Sequence, residues 1–512
     1  MRKRRTKILL LVLLTPIVLL LVFLLEERVR GKIALARYRR ELIAKGEKIS
    51  PRDFIAPPRA QENAAPAVYE ALERLKEGAV LPNRYPPAMR LTPAGRAIVG
   101  FRESQWVEDK VTNRWEALSA DLKSNEVTLA QIRAGLEKPV LYNDLDFSQG
   151  FKMRFPHLVQ AKRLTSWFGP AAQLALHEGQ HHEALEALLA QTRISRLLTE
   201  DRIVISELVR IAIAAIARNT TWEASQADGW TDEDLARLQE TWEMGDFATA
   251  MANSLEGETA FDAASYEMMR QSNEDTINML YGLEQYFPLE DSDRPWWERT
   301  LRHIPWGEEV ADFLKKQVYC RVWRFAWLDQ DERHNLESMQ RLLGIARTAA
   351  ATKSFAGVRS AIDQYESEIS DRSFYDRLRY PNPQSPITLS RVVNKAMRAE
   401  TERSMVICAI SLKRYALRHG KPPASLDSLV PAFVEFVPVD YLDGQPMKYH
   451  LNPDGSFVLY SVGEDANDDG GDAALRTGRT NLRNLWERKD FVWPAAASAE
   501  EIEAYRNESA KK

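Results

Sequence analysis

The sequence predicts a mainly α-helical protein with an N-terminal transmembrane helix, an irregular helical-hairpin body and a small C-terminal α+β module carrying a β-hairpin. Three observations lead there. One apolar run of membrane-spanning length opens the chain. From about residue 95 to 380, apolar residues recur at three- and four-residue intervals, and strand-like alternation is nearly absent. Alternation appears only near the C-terminus, around a turn that contains proline and glycine.

The run Ile8 to Leu25 carries no charge, and only Thr15 and Pro16 interrupt its aliphatic character. At the helical rise it reaches roughly 27 Å, enough to cross a hydrocarbon core. A proline that would break a soluble helix is tolerated in a kinked membrane helix. Arg2, Lys3, Arg4, Arg5 and Lys7 crowd the leading side, while Glu26 and Glu27 offset Arg28 and Arg30 on the trailing side. The basic end belongs in the cytoplasm, so the expectation is a single-pass protein of a bacterial inner membrane with its C-terminal bulk in the periplasm. A cleaved signal peptide has a shorter apolar core, about 7–15 residues, and a small-x-small site soon after. Ala34-Leu35-Ala36 has the letters but lies behind Glu26, Glu27, Arg28, Arg30 and Lys32.

The 512 residues are long enough for two or three domains, and 45% hydrophobic with 28% charged residues suits a folded chain. A net charge of −4, with no basic stripe, argues against nucleic acid as a partner. Cys320 and Cys408 cannot make a disulfide framework and read as two buried thiols. Tryptophans cluster at Trp106/Trp115, at Trp296/Trp297/Trp306 and at Trp323/Trp327, more simply as packing residues than as a carbohydrate surface.

Along the chain, residues 1–30 form the cytoplasmic tip and anchor, and 31–94 a short helix and a proline-rich extended segment. Residues 95–380 make the helical body, 388–475 the C-terminal module and 476–512 a tail. Thr231 and Asp234 form a capping-box pattern for a helix over Asp232–Met244. Pro156 suits the first turn of a helix running to about Leu176. Ile203–Ala217 is apolar on most faces and reads as a central buried helix, too short at fifteen residues for a second span. Residues 171–185 pass from helix through Gly179 into Glu-Ala-Leu, similar to one turn of a tetratricopeptide-like unit, but no fixed period follows. The acidic groups Asp329/Asp331/Glu332 and Glu290/Asp291/Asp293 read as solvated faces and caps.

After Tyr380–Pro386 a helix over about Thr388–His419 stops at Gly420-Lys-Pro-Pro423. Pro446–Leu451 and Phe457–Val462 alternate around Asn452-Pro-Asp-Gly455, a hairpin turn. An acidic, glycine-rich loop follows from Gly463 to Asp472. In order, Ser411–Tyr415, His419-Gly420, Pro438-Val-Asp440, Asp443-Gly444-Gln-Pro446, Tyr449 and Phe457–Gly463 carry a family pattern. Residues 392–472 thereby resemble the globular part of type II secretion major pseudopilins. The resemblance implies calcium held by the loop, through Ser461, Asp465, Asp468 and Asp472 with Asp469 as a spare. It covers about a sixth of the chain, and the anchor stands far upstream of the helix to which a pseudopilin fuses its own. Asp465-x-Asn467-x-Asp469-Gly470 also opens like an EF-hand loop, but Arg476 stands where that loop needs glutamate.

His177-Glu178-Gly179-Gln180-His181 matches H-E-x-x-H. On one helix it would offer His177 and His181 to zinc, with Glu178 as general base. Gly179 in mid-motif opposes an unbroken helix, and Glu200 and Glu207 are the only third ligands in range that suggest themselves. The favoured expectation is a non-enzymatic, membrane-tethered periplasmic scaffold or interaction protein with protein partners in the envelope, accessory to a secretion or pilus-like system. Its C-terminal module would be stabilised by calcium. The alternative is a membrane-bound zinc-dependent hydrolase.

Overall fold

The computed structural model describes the chain except residues 1, 55–61, 93–94, 283–295, 382–383, 482–483 and 510–512. Helix α1, Arg2–Ala44, continues without a break from the basic tip through Pro16 into the charged segment beyond. It closes at Gly46, whose φ of +80° lets Glu47 N–H reach back to Leu42 O at 3.0 Å. Its described side chains begin at Leu14, and from there to Leu25 all but Leu24 are exposed. Ile8–Leu13 lie outside the described side chains, and among the described residues no helix is long and apolar enough to cross a membrane.

The proline-rich stretch holds α2, Ala65–Glu73, which starts on the Pro66 turn. The region near residue 95 is not helical as expected. Strands β1, Arg90–Thr92, and β2, Arg96–Ile98, pair antiparallel, and β3, Trp106–Glu108, and β4, Val111–Asn113, form a second hairpin. Three-residue strands are too short to show a period in the sequence. Helices α3 (Trp115–Ser124) and α4 (Glu126–Leu136) follow, then the hairpin α5 (Pro156–His177) and α6 (His181–Arg193). Leu72, Leu118, Ile132, Trp167 and Phe168 form the apolar centre of this part.

The larger core is built on α7 (Val204–Ser225), α8 (Asp232–Glu243) and α9 (Phe247–Gln271). The capping box of α8 is present, with Thr231 Oγ1 accepting from Asp234 N–H at 3.1 Å. Helix α7 is central but longer than expected and not apolar all round. Its buried face carries Glu207 and Arg210, paired at 2.7 Å, while Ile205 is 44% exposed.

Short helices α10 (Asn273–Tyr281), α11 (Trp296–Arg302), α12 (Gly307–Phe313) and α13 (Cys320–Ala326) follow, the last two joined by a π-turn over Leu314–Tyr319. Helix α14 (Leu328–Thr352) then packs along both α9 and α1. Glu290/Asp291/Asp293 lie outside the described residues. Cys320 and Cys408 are buried free thiols.

After α15 (Arg359–Ser370) and α16 (Phe374–Arg379) comes α17, Gln384–His419. It packs on α7, α8, α9 and α14, so the C-terminal module shares its core with the body. Strands β5 (Val439–Asp440) and β6 (Gln445–Pro446) pair, and β7 (Lys448–Leu451) and β8 (Phe457–Ser461) form the expected hairpin, closed by Asn452 N–H to Ser456 O at 2.7 Å. The residues expected as a tail complete the sheets. Strand β9, Phe491–Val492, extends the hairpin beside β8. Strand β10, Ala495–Ala496, runs parallel to β2, almost four hundred positions earlier, and α18 (Ala499–Ser509) ends the chain.

Candidate functional site

The H-E-x-x-H residues do not share a helix. Helix α5 ends at His177, Gly179 adopts φ +72°, and α6 begins at His181. A left-handed residue in mid-motif turns the chain, so the two imidazoles are not one helical turn apart on one face. His177 Nδ1 lies 2.8 Å from Phe101 O and its ring stacks on Trp115 at 4.4 Å. His181 Nε2 meets Asp228 O, and its ring stands edge-on to Trp230. Glu207, a third ligand by sequence, is turned to Arg210 in the interior, and burial pushes its carboxyl up to about 7. The segment is a packed turn between α5 and α6.

In the acidic loop the implied calcium ligands face different partners. Ser461 is fully buried, and its Oγ accepts from Gly463 N–H at 3.2 Å. Asp468 accepts from Tyr460 OH at 3.0 Å and from Gly470 N–H at 3.0 Å. Asp472 is held by Lys489 Nζ at 2.7 Å, which keeps its carboxyl below the usual range. Asp465 accepts from Asn467 N–H at 3.2 Å and faces Arg476 at 3.7 Å. Asp469 donates its N–H to Asp490 at 3.4 Å. A calcium cage needs six to eight oxygens around one point, and these donors each face a partner of their own. Among the described residues no three His, Cys, Asp or Glu side chains are set to hold a metal ion. The organiser of the loop is Asp490, which sequence reasoning missed. Fully buried, it also accepts from Gly471 N–H at 2.7 Å and Asp472 N–H at 3.1 Å. Burial raises its carboxyl, and those backbone donors oppose the rise.

A dense polar constellation lies where α1 leaves its apolar run and settles on the body. Glu27, 1% exposed, accepts from Tyr375 OH at 2.6 Å, Trp327 Nε1–H at 3.0 Å and Gln330 Nε2–H at 3.1 Å, and pairs with Arg30. Burial works to raise its carboxyl, but the Tyr375 and Gln330 hydrogen bonds and Arg30 together hold it below the usual range. Arg28 donates to Phe325 O at 3.1 Å and lies 4.6 Å over the Phe325 ring. Gly31 lets the helices touch, since a Cβ there would meet Gln330 Cγ at 2.8 Å. Further along, Arg39 pairs with the fully buried Glu332, and Arg347 clamps Glu47 at 2.9 Å and also meets Glu256.

Behind this seam, α9 and α14 carry a set of buried and half-buried carboxylates. Arg270 pairs with Glu332 and with Asp329 at 2.8 Å. Tyr266 OH donates to Asp331 at 2.6 Å, and Asn335 Nδ2 to Asp262 at 2.8 Å. Burial lifts Asp331 to about 7. Burial raises Glu258 and Asp262 as well, and Glu258 is pushed further by the neighbouring Asp262 charge. Asp331 and Glu332, expected on a solvated face, are thus 8% and 0% exposed. The arrangement joins two long helices to α1 through charge-assisted bonds, which are the stronger kind. Its chemistry is that of a joint, with each cation facing a carboxylate.

The chain matches no family model, no curated protein and no solved structure.

Proposed function

We propose that this is a membrane-tethered envelope protein that works through interaction, with its bulk on the periplasmic side of a bacterial inner membrane. The observation that carries the reading is the division of α1. Its outer part, Leu14 to Leu25, stands almost wholly exposed and apolar, while Glu27 to Arg39 is locked to the body by hydrogen bonds and an ion pair to buried partners, and Glu47 just past the helix pairs with Arg347 at the surface. An exposed aliphatic helix on a soluble protein is unfavourable in water and favourable in hydrocarbon. The rigid continuation means the tether holds the body at a set angle to the bilayer instead of on a flexible leash.

The resemblance of residues 392–472 to pseudopilins supports an accessory role beside a secretion or pilus-like apparatus, by analogy alone. The order of α17 followed by the β7–β8 hairpin supports the same reading. Because α17 is part of the common core, the module acts with the body and not as a separate terminal unit. Paired reporter fusions after residue 40 test the topology. Periplasmic phosphatase activity with a dark cytoplasmic fluorescent reporter is the expected result; the reverse would overturn it.

A further inference from the structure

We propose that the outer face of the α12–α13 segment is a second membrane contact, lying flat on the periplasmic leaflet beside the point where α1 emerges. The proposal rests on α1 spanning the bilayer, and its occupant is the lipid surface itself. Trp306, Val310, Phe313, Leu314, Val318 and Phe325 follow one another at spacings of four, three, one, four and seven, a broad helical face widened by the adjacent pair Phe313 and Leu314, and are 78%, 45%, 59%, 38%, 43% and 45% exposed. The opposite face is buried: a Cβ on Gly307 would strike Leu301 O, and Ala311, Trp323 and Ala326 pack inward. The π-turn over Leu314–Tyr319 sits between the two parts of the stripe. A helix with one face in the protein core and another both apolar and exposed is built to be covered.

The place of the stripe selects the cover. Its C-terminal end, Phe325, lies under Arg28, three residues past the end of the α1 apolar run, and Leu24 packs with Trp323, Ala326 and Trp327. A spanning α1 therefore brings this end of α13 to the level of the bilayer surface. Phe374, 71% exposed at the start of α16, lies at the same level, because the adjacent Tyr375 contacts Phe23 at 6.4 Å and Glu27. Trp306 opens α12 at φ +64°, a conformation unusual for a bulky residue, with its ring almost fully exposed. Tryptophan favours the headgroup layer, where its ring is apolar and its N–H stays wet. Arg321, exposed on the same segment, and Arg28 supply cations for anionic headgroups. An interfacial helix of this kind sinks its apolar face about 5–10 Å into the headgroup and acyl boundary.

The test uses the full chain in nanodiscs of phosphatidylethanolamine and phosphatidylglycerol containing a lipid with a nitroxide near its headgroup. A fluorophore is placed in turn at Val310→Cys, Phe313→Cys, Leu20→Cys in the α1 apolar run and Val127→Cys on α4, with buried Cys320 and Cys408 left in place. The expected result is quenching at positions 310 and 313, as at 20, about threefold or more above position 127. Quenching at 20 with 310 and 313 no more quenched than 127 would overturn the inference and leave the tether standing. Absence of quenching at 20 as well would overturn both. If the cysteine variants misfold, brominated-lipid quenching of Trp306, read as the difference between native chain and Trp306→Phe, gives the same decision.

Discussion

Two regions of this molecule are rich in carboxylates, and they behave in opposite ways. The loop Gly463–Asp472 strings its acids together on the surface, where Asp465, Asp468 and Asp472 settle turns or meet a nearby cation. The joint between α1, α9 and α14 gathers Glu27, Asp331 and Glu332 from distant parts of the chain into the interior, with the half-buried Asp262 beside them. In the loop, water and salt screen the charges, so any one pair is worth little. In the joint, desolvation makes each unpaired charge costly, so the same residue types determine whether the helices stay together.

The comparison breaks most sharply at Glu332. Glu332→Ala strips the buried carboxylate from both Arg39 and Arg270, leaving Arg270 to Asp329 and freeing the part-exposed Arg39, and should lower stability by about 1.5–3 kcal/mol, the worth of charge-assisted hydrogen bonds. Denaturant titration of the full chain in detergent checks this, and a loss below about 1 kcal/mol would return the joint to the class of solvated surface pairs.

The next effect is on pH. Asp331, Glu207 and Glu223 are each pushed up to about 7 by burial, against ordinary values of 3.8 and 4.5. The folded state therefore keeps protons that the unfolded state has already released, and stability falls as pH rises from about 4 through 7. Glu27 and Asp232, held low by their partners, act in the other sense and lose their contribution only as pH falls below about 4. Melting temperature should peak near pH 4, and Asp331→Asn should flatten the decline above it. A peak at or above pH 8 would contradict the buried assignment.

Within the loop, Asp490→Ala removes the acceptor for three backbone N–H groups and should cost about 1–3 kcal/mol. Hydrogen exchange should quicken at Gly471 and Asp472 ahead of the rest of the sheet. The smallest effect is expected at Asp465→Asn, under about 1 kcal/mol. Melting in millimolar calcium should then match melting in EGTA. A calcium-dependent rise that Asp472→Asn abolishes would mean the loop rearranges around an ion, with Lys489 displaced.

The sequence by itself determined the elements whose signal is local. The capping box at Thr231, the glycine turn at 179 and the Asn452–Gly455 hairpin are all legible from neighbouring residues, because caps, turns and periodicity act within one or two helical turns. The break in H-E-x-x-H was legible for the same reason. Glu332 was partly legible, since it falls in line with the buried Leu328, Leu336 and Met339 on one face of α14. Its acidic neighbours made the segment look like an ordinary solvated face.

Tertiary structure alone decided the rest. Whether Glu27 is exposed depends on Trp327, 300 positions away, and β10 pairs with β2 across almost four hundred positions. Asp490 gains its role from a loop folded back over it. Burial is a property of the assembled core, and the energy of a charge depends more on burial than on its sequence neighbours.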